Sequence, residues 1–176
     1  QWAGMGRELL ETEPVFRDVI EACDCVIAGE GAGWSLLDEL KAAESDSRVD
    51  DTQFAQPMIF AIQVGLLEMW RSWGIEFDSI VGHSVGEVAA AYACGALSLE
   101  DAARVIYHRG HSMSQAVSGG KMLVVGMSLE AAESLIEPYS LQVGIAAVNS
   151  PAAVTISGDA ARPRNSRARR TQVWSS

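Results

Sequence analysis

The sequence predicts an α/β protein with a second, smaller α+β unit towards its C-terminal end. Three observations carry that expectation. Ser79–Cys94 reads as a short apolar strand, a glycine-bounded tight turn and an alanine-rich helix, the basic succession of sheet-and-helix folds. A long helix precedes it, from about Pro57 to Trp73, apolar over half its circumference and so in need of a core on more than one side. After Gly119-Gly120 the rhythm shortens to strand, helix, strand, strand, which marks the second unit.

Taken in order, Pro14 opens a helix as an early-turn residue, with Val15, Phe16, Val19, Ile20 and Cys23 as its apolar stripe. Gly29, Gly31 and Gly33 break it, and Trp34–Ala43 reads as a short helix followed by a polar loop over Glu44–Asp51. The helix from Pro57 ends at Gly74, a C-cap glycine. Ser79-Ile80-Val81 is the strand candidate and Glu87–Cys94 the small-residue helix that follows the turn. Ser98-Leu99-Glu100-Asp101 is a capping-box pattern for a helix running to about Val117. In the second unit the expected elements are strand Lys121–Gly126, helix Ser128–Ile136, strand Gln142–Val148, a turn at Asn149-Ser150-Pro151 and strand Ala153–Ser157.

Composition narrows the classes. The 176 residues are 48% hydrophobic and 20% charged, enough apolar content for a real core. The longest apolar run, Pro57–Leu67, is interrupted by Gln63 and falls short of the ~20 residues a membrane span needs. Three cysteines cannot all pair, and Cys23-x-Cys25 has neither zinc nor thioredoxin spacing, which favours a reducing, cytoplasmic setting and no metal site. The formal charge is −10, from 13 Lys+Arg and 23 Asp+Glu, and argues against nucleic acid as a partner. Five of those cations, Arg162, Arg164, Arg167, Arg169 and Arg170, fall in the last fifteen residues; the eight left face 23 acids, so residues 1–160 carry −15. Residues 160–176 are expected to form a disordered basic tail. The chain opens on Gln1-Trp2 without an initiator methionine, and is expected to be part of something longer.

The residues that could carry chemistry centre on Gly82-His83-Ser84-Val85-Gly86, a G-x-S-x-G pattern. A strand that turns sharply into a helix presents one hydroxyl at the apex, here that of Ser84. Gly82 and Gly86 would let the neighbouring backbone approach, and the Val85 N–H at the helix start would face a developing oxyanion. A base is harder to find. His83 adjoins Ser84, so its ring is expected to point away from the hydroxyl. His108 and His111 share a helix side opposite Ala102, Val105, Ile106, Met113 and Ala116, and are expected to face solvent. Arg109 falls among Val105, Ile106 and Met113 on the apolar face. A guanidinium there needs an anion and several acceptors. It could be an internal salt bridge, a side chain that snorkels outward, or a bidentate clamp on a substrate carboxylate.

With these residues assembled, the chain resembles the malonyl-CoA:acyl-carrier-protein acyltransferase family, and within it the acyltransferase domains of type I modular polyketide synthases. Gln1-Trp2-Ala3-Gly4-Met5-Gly6 looks like the end of that family's GQGSQWxGMG signature. Gln56-Pro57, Trp70-Arg71-Ser72-Trp73-Gly74-Ile75, Gly82–Glu87 and Asn149-Ser150-Pro151 through Gly158 follow in the family's order. Arg109 stands 25 positions after Ser84, where the family keeps its carboxylate-binding arginine. The resemblance covers about residues 1–159, and the tail looks unrelated to it. It implies an α/β-hydrolase-like parallel-sheet core over residues 1–118 with an inserted ferredoxin-like subdomain over 119–159, both incomplete.

The activity implied is ping-pong acyl transfer in polyketide or fatty-acid biosynthesis, with Ser84 as nucleophile, Val85 N–H as an oxyanion donor, and Arg109, Gln56 and His83 at the substrate. No cofactor is implied. The substrates are malonyl-CoA or methylmalonyl-CoA and the phosphopantetheine thiol of an acyl carrier protein, with a ketosynthase as neighbour in a modular protein. In the family, a Val after the serine and a stretch like Asp51-Thr52-Gln53-Phe54-Ala55-Gln56 lean towards malonyl. The family's first strand, its second oxyanion donor and its general-base histidine match nothing in the sequence, so this chain is expected to be inactive or very slow. An esterase or thioesterase sharing the elbow, or a non-catalytic fragment, are the competing expectations.

Overall fold

The computed structural model describes residues 1–115 and 120–159. They fall into two compact units that divide between Ala116 and Val117.

The first unit is helical: α1 (Arg7–Thr12), α2 (Pro14–Gly29), α3 (Leu36–Lys41), α4 (Thr52–Ser72), α5 (Val85–Ala93) and α6 (Leu99–Ser114). Pro14 begins α2, where its missing N–H costs nothing, and Phe16, Val19, Ile20, Cys23 and Ile27 form its buried stripe. Asp24 of α2 accepts from Leu36 N at 2.6 Å and from Ser35 Oγ at 3.2 Å, tying the start of α3 to α2. Ser35, Asp51 and Ser98 cap α3, α4 and α6 through their side chains.

Helix α4 starts at Thr52, five residues ahead of the expected Pro57, which lies inside it. Proline in that place forfeits one hydrogen bond, to the carbonyl of Gln53. Helix α6 also approaches α4 there: a Cβ on Gly110 would lie 3.1 Å from Thr52 O and 3.2 Å from Gln53 O. Gly65 of α4 is tighter still, since a Cβ there would meet the Phe16 ring at 2.6 Å. Small residues thus let α2, α4 and α6 cross at close range.

Two expectations are corrected here. The buried face of α6 is Ala102, Ala103, Ile106, Tyr107 and Gly110, whereas Val105 and Met113 are 45% and 47% exposed. Large apolar side chains suggested one face; the buried one is turned towards Ala103, Tyr107 and Gly110, and Gly110 is where a side chain would collide with α4. Ala116 lies outside the described residues. Ser79-Ile80-Val81 forms no strand: Val81 is 96% exposed. An extended segment becomes a strand only through a hydrogen-bonded neighbour, and none of the described residues pairs with this one.

The second unit is β1 (Gly120–Val125), α7 (Leu129–Ile136), β2 (Val143–Ser150) and β3 (Ala153–Asp159), with a single 3₁₀ turn over Glu137–Tyr139. The sheet is antiparallel in the order β1-β3-β2, with Leu123 opposite Ile156 and Ile145 opposite the same residue on the other side. Ser128 caps α7. Strand β2 runs two residues further than expected and the turn falls on Pro151-Ala152. Leu123, Val125, Ile145, Val154 and Ile156 pack with Ala132 of α7 into a small core of their own. The basic tail lies outside the described residues.

Candidate active site

Ser84 sits at the entry to α5 with φ 54° and ψ −114°, the one non-glycine residue with positive φ among the described residues. A Cβ in that region strains against its own backbone, by about 1–3 kcal/mol. The turn is enforced from one side. A Cβ on Gly82 would fall 2.3 Å from the Gly86 carbonyl oxygen and 2.7 Å from Glu87 Cα, so no other residue fits. Gly86 is different. A Cβ there would meet only Gln63 Nε2, at an ordinary 3.7 Å, so the second glycine of the pattern is not required sterically, contrary to expectation. Val85 is the first residue of α5, and its N–H therefore has no intrahelical acceptor.

The structure brings three of the expected residues together. Arg109 Nη2 donates to Ser84 Oγ at 3.1 Å, and Arg109 Nη1 donates to Gln56 Oε1. Gln56 is only 4% exposed, and its Nε2 donates to Thr52 Oγ1 at 2.7 Å and to Met113 Sδ at 3.2 Å. Of the three readings open for Arg109, the internal salt bridge finds no support, since no carboxylate among the described residues pairs with it. The guanidinium thus lies beside a serine hydroxyl and a neutral amide, neither of which balances its charge.

The histidines lie elsewhere. His108 Nε2 is 2.8 Å from Glu30 Oε2, and Arg104 Nε donates to the other oxygen of that carboxylate at 2.6 Å. Those hydrogen bonds, first Arg104 and then His108, hold the Glu30 carboxyl below the usual carboxylate range. His111 is exposed and stacks on Tyr107. His83 is exposed and lines a cleft of about 400 Å³ with Gln63, Val64, Ile80, Gly82 and Ala90. Ser84, Arg109 and Gln56 are not part of its lining. Thr52 and Met113 were expected only in the Asp51–Gln56 stretch and on an apolar face, not as partners of Gln56. The Thr52–Gln56 spacing of one helical turn was hidden once α4 was started at Pro57. Among the described residues no group of side chains could hold a metal, and no helix is long and apolar enough to cross a membrane.

Residues 1–170 match the family model of the acyl transferase domain. The chain belongs to that family. The matched stretch runs eleven residues beyond Asp159, into the basic run. The acyl transferase chain is 44% identical over 165 residues to a highly reducing polyketide synthase of Emericella nidulans, covering 90% of this chain and 6% of that protein. Among solved structures, it superposes on a loading acyltransferase from the avermectin modular polyketide synthase with a TM-score of 0.83 at 35% identity, covering 90% of this chain and 51% of the other. It superposes on the malonyl CoA-acyl carrier protein transacylase of Coxiella burnetii with a TM-score of 0.80 at 30% identity, covering 90% and 50%. The chain therefore spans about half of each solved acyl transferase and a small fraction of the synthase. Its fold is a part of their α/β fold.

Proposed function

We propose that this chain supplies the nucleophile and the carboxylate clamp of an acyl transfer that loads a malonyl-type unit onto an acyl carrier protein. Ser84 Oγ attacks the thioester carbonyl of an acyl-CoA; the new C–O bond replaces the C–S bond, and CoA leaves as the thiol. The phosphopantetheine thiol of the carrier protein then attacks the acyl-serine and restores the hydroxyl. The Val85 N–H faces the oxyanion in both steps. Arg109 pairs with the free carboxylate of the malonyl unit, and Gln56 keeps the guanidinium turned towards Ser84. The observation that carries this reading is the 3.1 Å contact between Arg109 and Ser84, with no carboxylate among the described residues to neutralise the arginine.

A general base must lie within hydrogen-bond reach of Ser84 Oγ and be able to accept its proton. Arg109 reaches the hydroxyl but only donates. We therefore expect the isolated chain to acylate itself slowly and to turn over negligibly. The malonyl over methylmalonyl preference, and a ketosynthase as neighbour, belong to the same reading. Intact-mass spectrometry after incubation with malonyl-CoA or acetyl-CoA tests it. Arg109→Ala should lose malonyl loading by roughly 100-fold, as expected when a charged hydrogen-bonded pair is removed, and keep or gain acetyl loading. Equal loss of both acyl groups would oppose a clamp and favour a hydrolase-like site; rapid, complete Ser84 labelling would oppose the slow self-acylation.

A further inference from the structure

We propose that Thr52 is a positioning residue for Arg109, and through it sets the preference for acyl groups that carry a carboxylate over neutral ones. The inference rests on the reading of Arg109 as a clamp and deepens it. The link between the two residues is the amide of Gln56. An amide turned by 180° keeps its shape but exchanges oxygen and nitrogen. Arg109 can only donate, so it is held only when Oε1 faces Nη1; the turned amide would set N–H against N–H and push the guanidinium off Ser84.

What fixes the amide lies at its other end. Nε2 is 2.7 Å from Thr52 Oγ1 and 3.2 Å from Met113 Sδ. The thioether can accept but not donate, so it selects this orientation of the amide; the Thr52 hydroxyl, which can accept or donate, is the stronger partner and anchors the amide in place. Gln56 is 4% exposed, so water cannot readily replace a lost acceptor. Thr52 is itself anchored. It is the first residue of α4, behind the Asp51 cap, and its carbonyl takes the close approach of Gly110, the neighbour of Arg109. One helix crossing thus locates Thr52 and Arg109, the two residues that Gln56 links.

The test compares the full chain with its Thr52→Val, Thr52→Ala, Thr52→Ser and Arg109→Ala variants. Two quantities are read: the ratio of malonyl to acetyl on Ser84 after incubation with the two CoA esters, and the rate at which phenylglyoxal modifies Arg109, followed by peptide mass mapping. The second needs no turnover. In Thr52→Val the ratio should fall about tenfold, the size of one hydrogen bond to a buried group, and Arg109 should react several times faster. Thr52→Ser keeps the hydroxyl and should restore both. Thr52→Ala takes the place of the valine variant should the latter fail to fold. A lower melting temperature with ratio and reactivity unchanged, beside a collapsed ratio in Arg109→Ala, would overturn this inference and leave the clamp standing. An unchanged ratio in Arg109→Ala would overturn both.

Discussion

The two units of the chain are held together in different ways. Among the described residues, the first buries twenty apolar side chains in one cluster and the second buries three. In the first, helices meet at points where a single added methyl has nowhere to go, at Gly65 against Phe16 and at Gly82 against the Gly86 carbonyl. In the second, Met122, Val124 and Val148 are more than half exposed on the sheet. Positional accuracy follows the dense packing. Ser84, Arg109 and Gln56 all stand on the unit whose backbone is fixed by contact, so the chemistry can be accurate to a fraction of an ångström.

That contrast can be broken at its strongest point first. Gly82→Ala would force a Cβ into backbone atoms, and should cost roughly 5 kcal/mol, in the extreme tail of single substitutions, while Gly86→Ala should lie within about 1 kcal/mol. Chemical denaturation of the two variants decides, and comparable losses would mean that the turn is not held by Gly82. Next, Phe16→Ala should cost about 3–5 kcal/mol in the first unit and Val154→Ala only about 2 kcal/mol in the second. Hydrogen exchange should show the first loss spread over α2, α4 and α6, and the second confined to the β1-β3-β2 sheet.

The smallest effect is a pH dependence at the surface of the first unit. The folded carboxyl of Glu30 titrates below its unfolded value, so its contribution is full above the ordinary carboxylate range and is lost as pH falls through the folded pKa. Glu30→Gln should lower the melting temperature slightly at neutral pH, and the gap between variant and parent should close as the solution is acidified. A gap that stays constant across that range would show that the Arg104 and His108 bonds add nothing through charge.

The elements with local chemical signals were legible in the sequence. Ser98 and Ser128 announce α6 and α7 through side-chain caps, Pro14 opens α2, and the glycine pattern around Ser84 marks the turn. What failed was whatever depends on a neighbour. Pro57 was read as a helix start because the cost of proline is local; the Asp51 cap, equally local, was passed over, and the contact with Gly110 is not local. The face of α6 was placed by its large side chains Val105 and Met113, although the buried face includes Ala103, Tyr107 and Gly110 instead. The strand at Ser79–Val81 was assigned from composition, but pairing makes a strand. Within the candidate site, Ser84 was singled out by its glycine pattern and Arg109 by the family resemblance, after its place on the helix had left three readings open. Thr52 entered only within the Asp51–Gln56 stretch; its hydrogen bond with Gln56 has no signature until the helix carrying both is drawn from the right residue.

The left-handed backbone at Ser84 has one more consequence. The strain there belongs to any side chain with a Cβ, so alanine would inherit it and glycine alone would shed it. Ser84 is thus retained against the conformational preference of its own position. A lineage in which acyl transfer no longer mattered would meet a downhill path from serine to glycine at this one site. It would gain stability by the very change that silences the chemistry, and glycine at the apex of an otherwise intact elbow would be the fossil of that exchange.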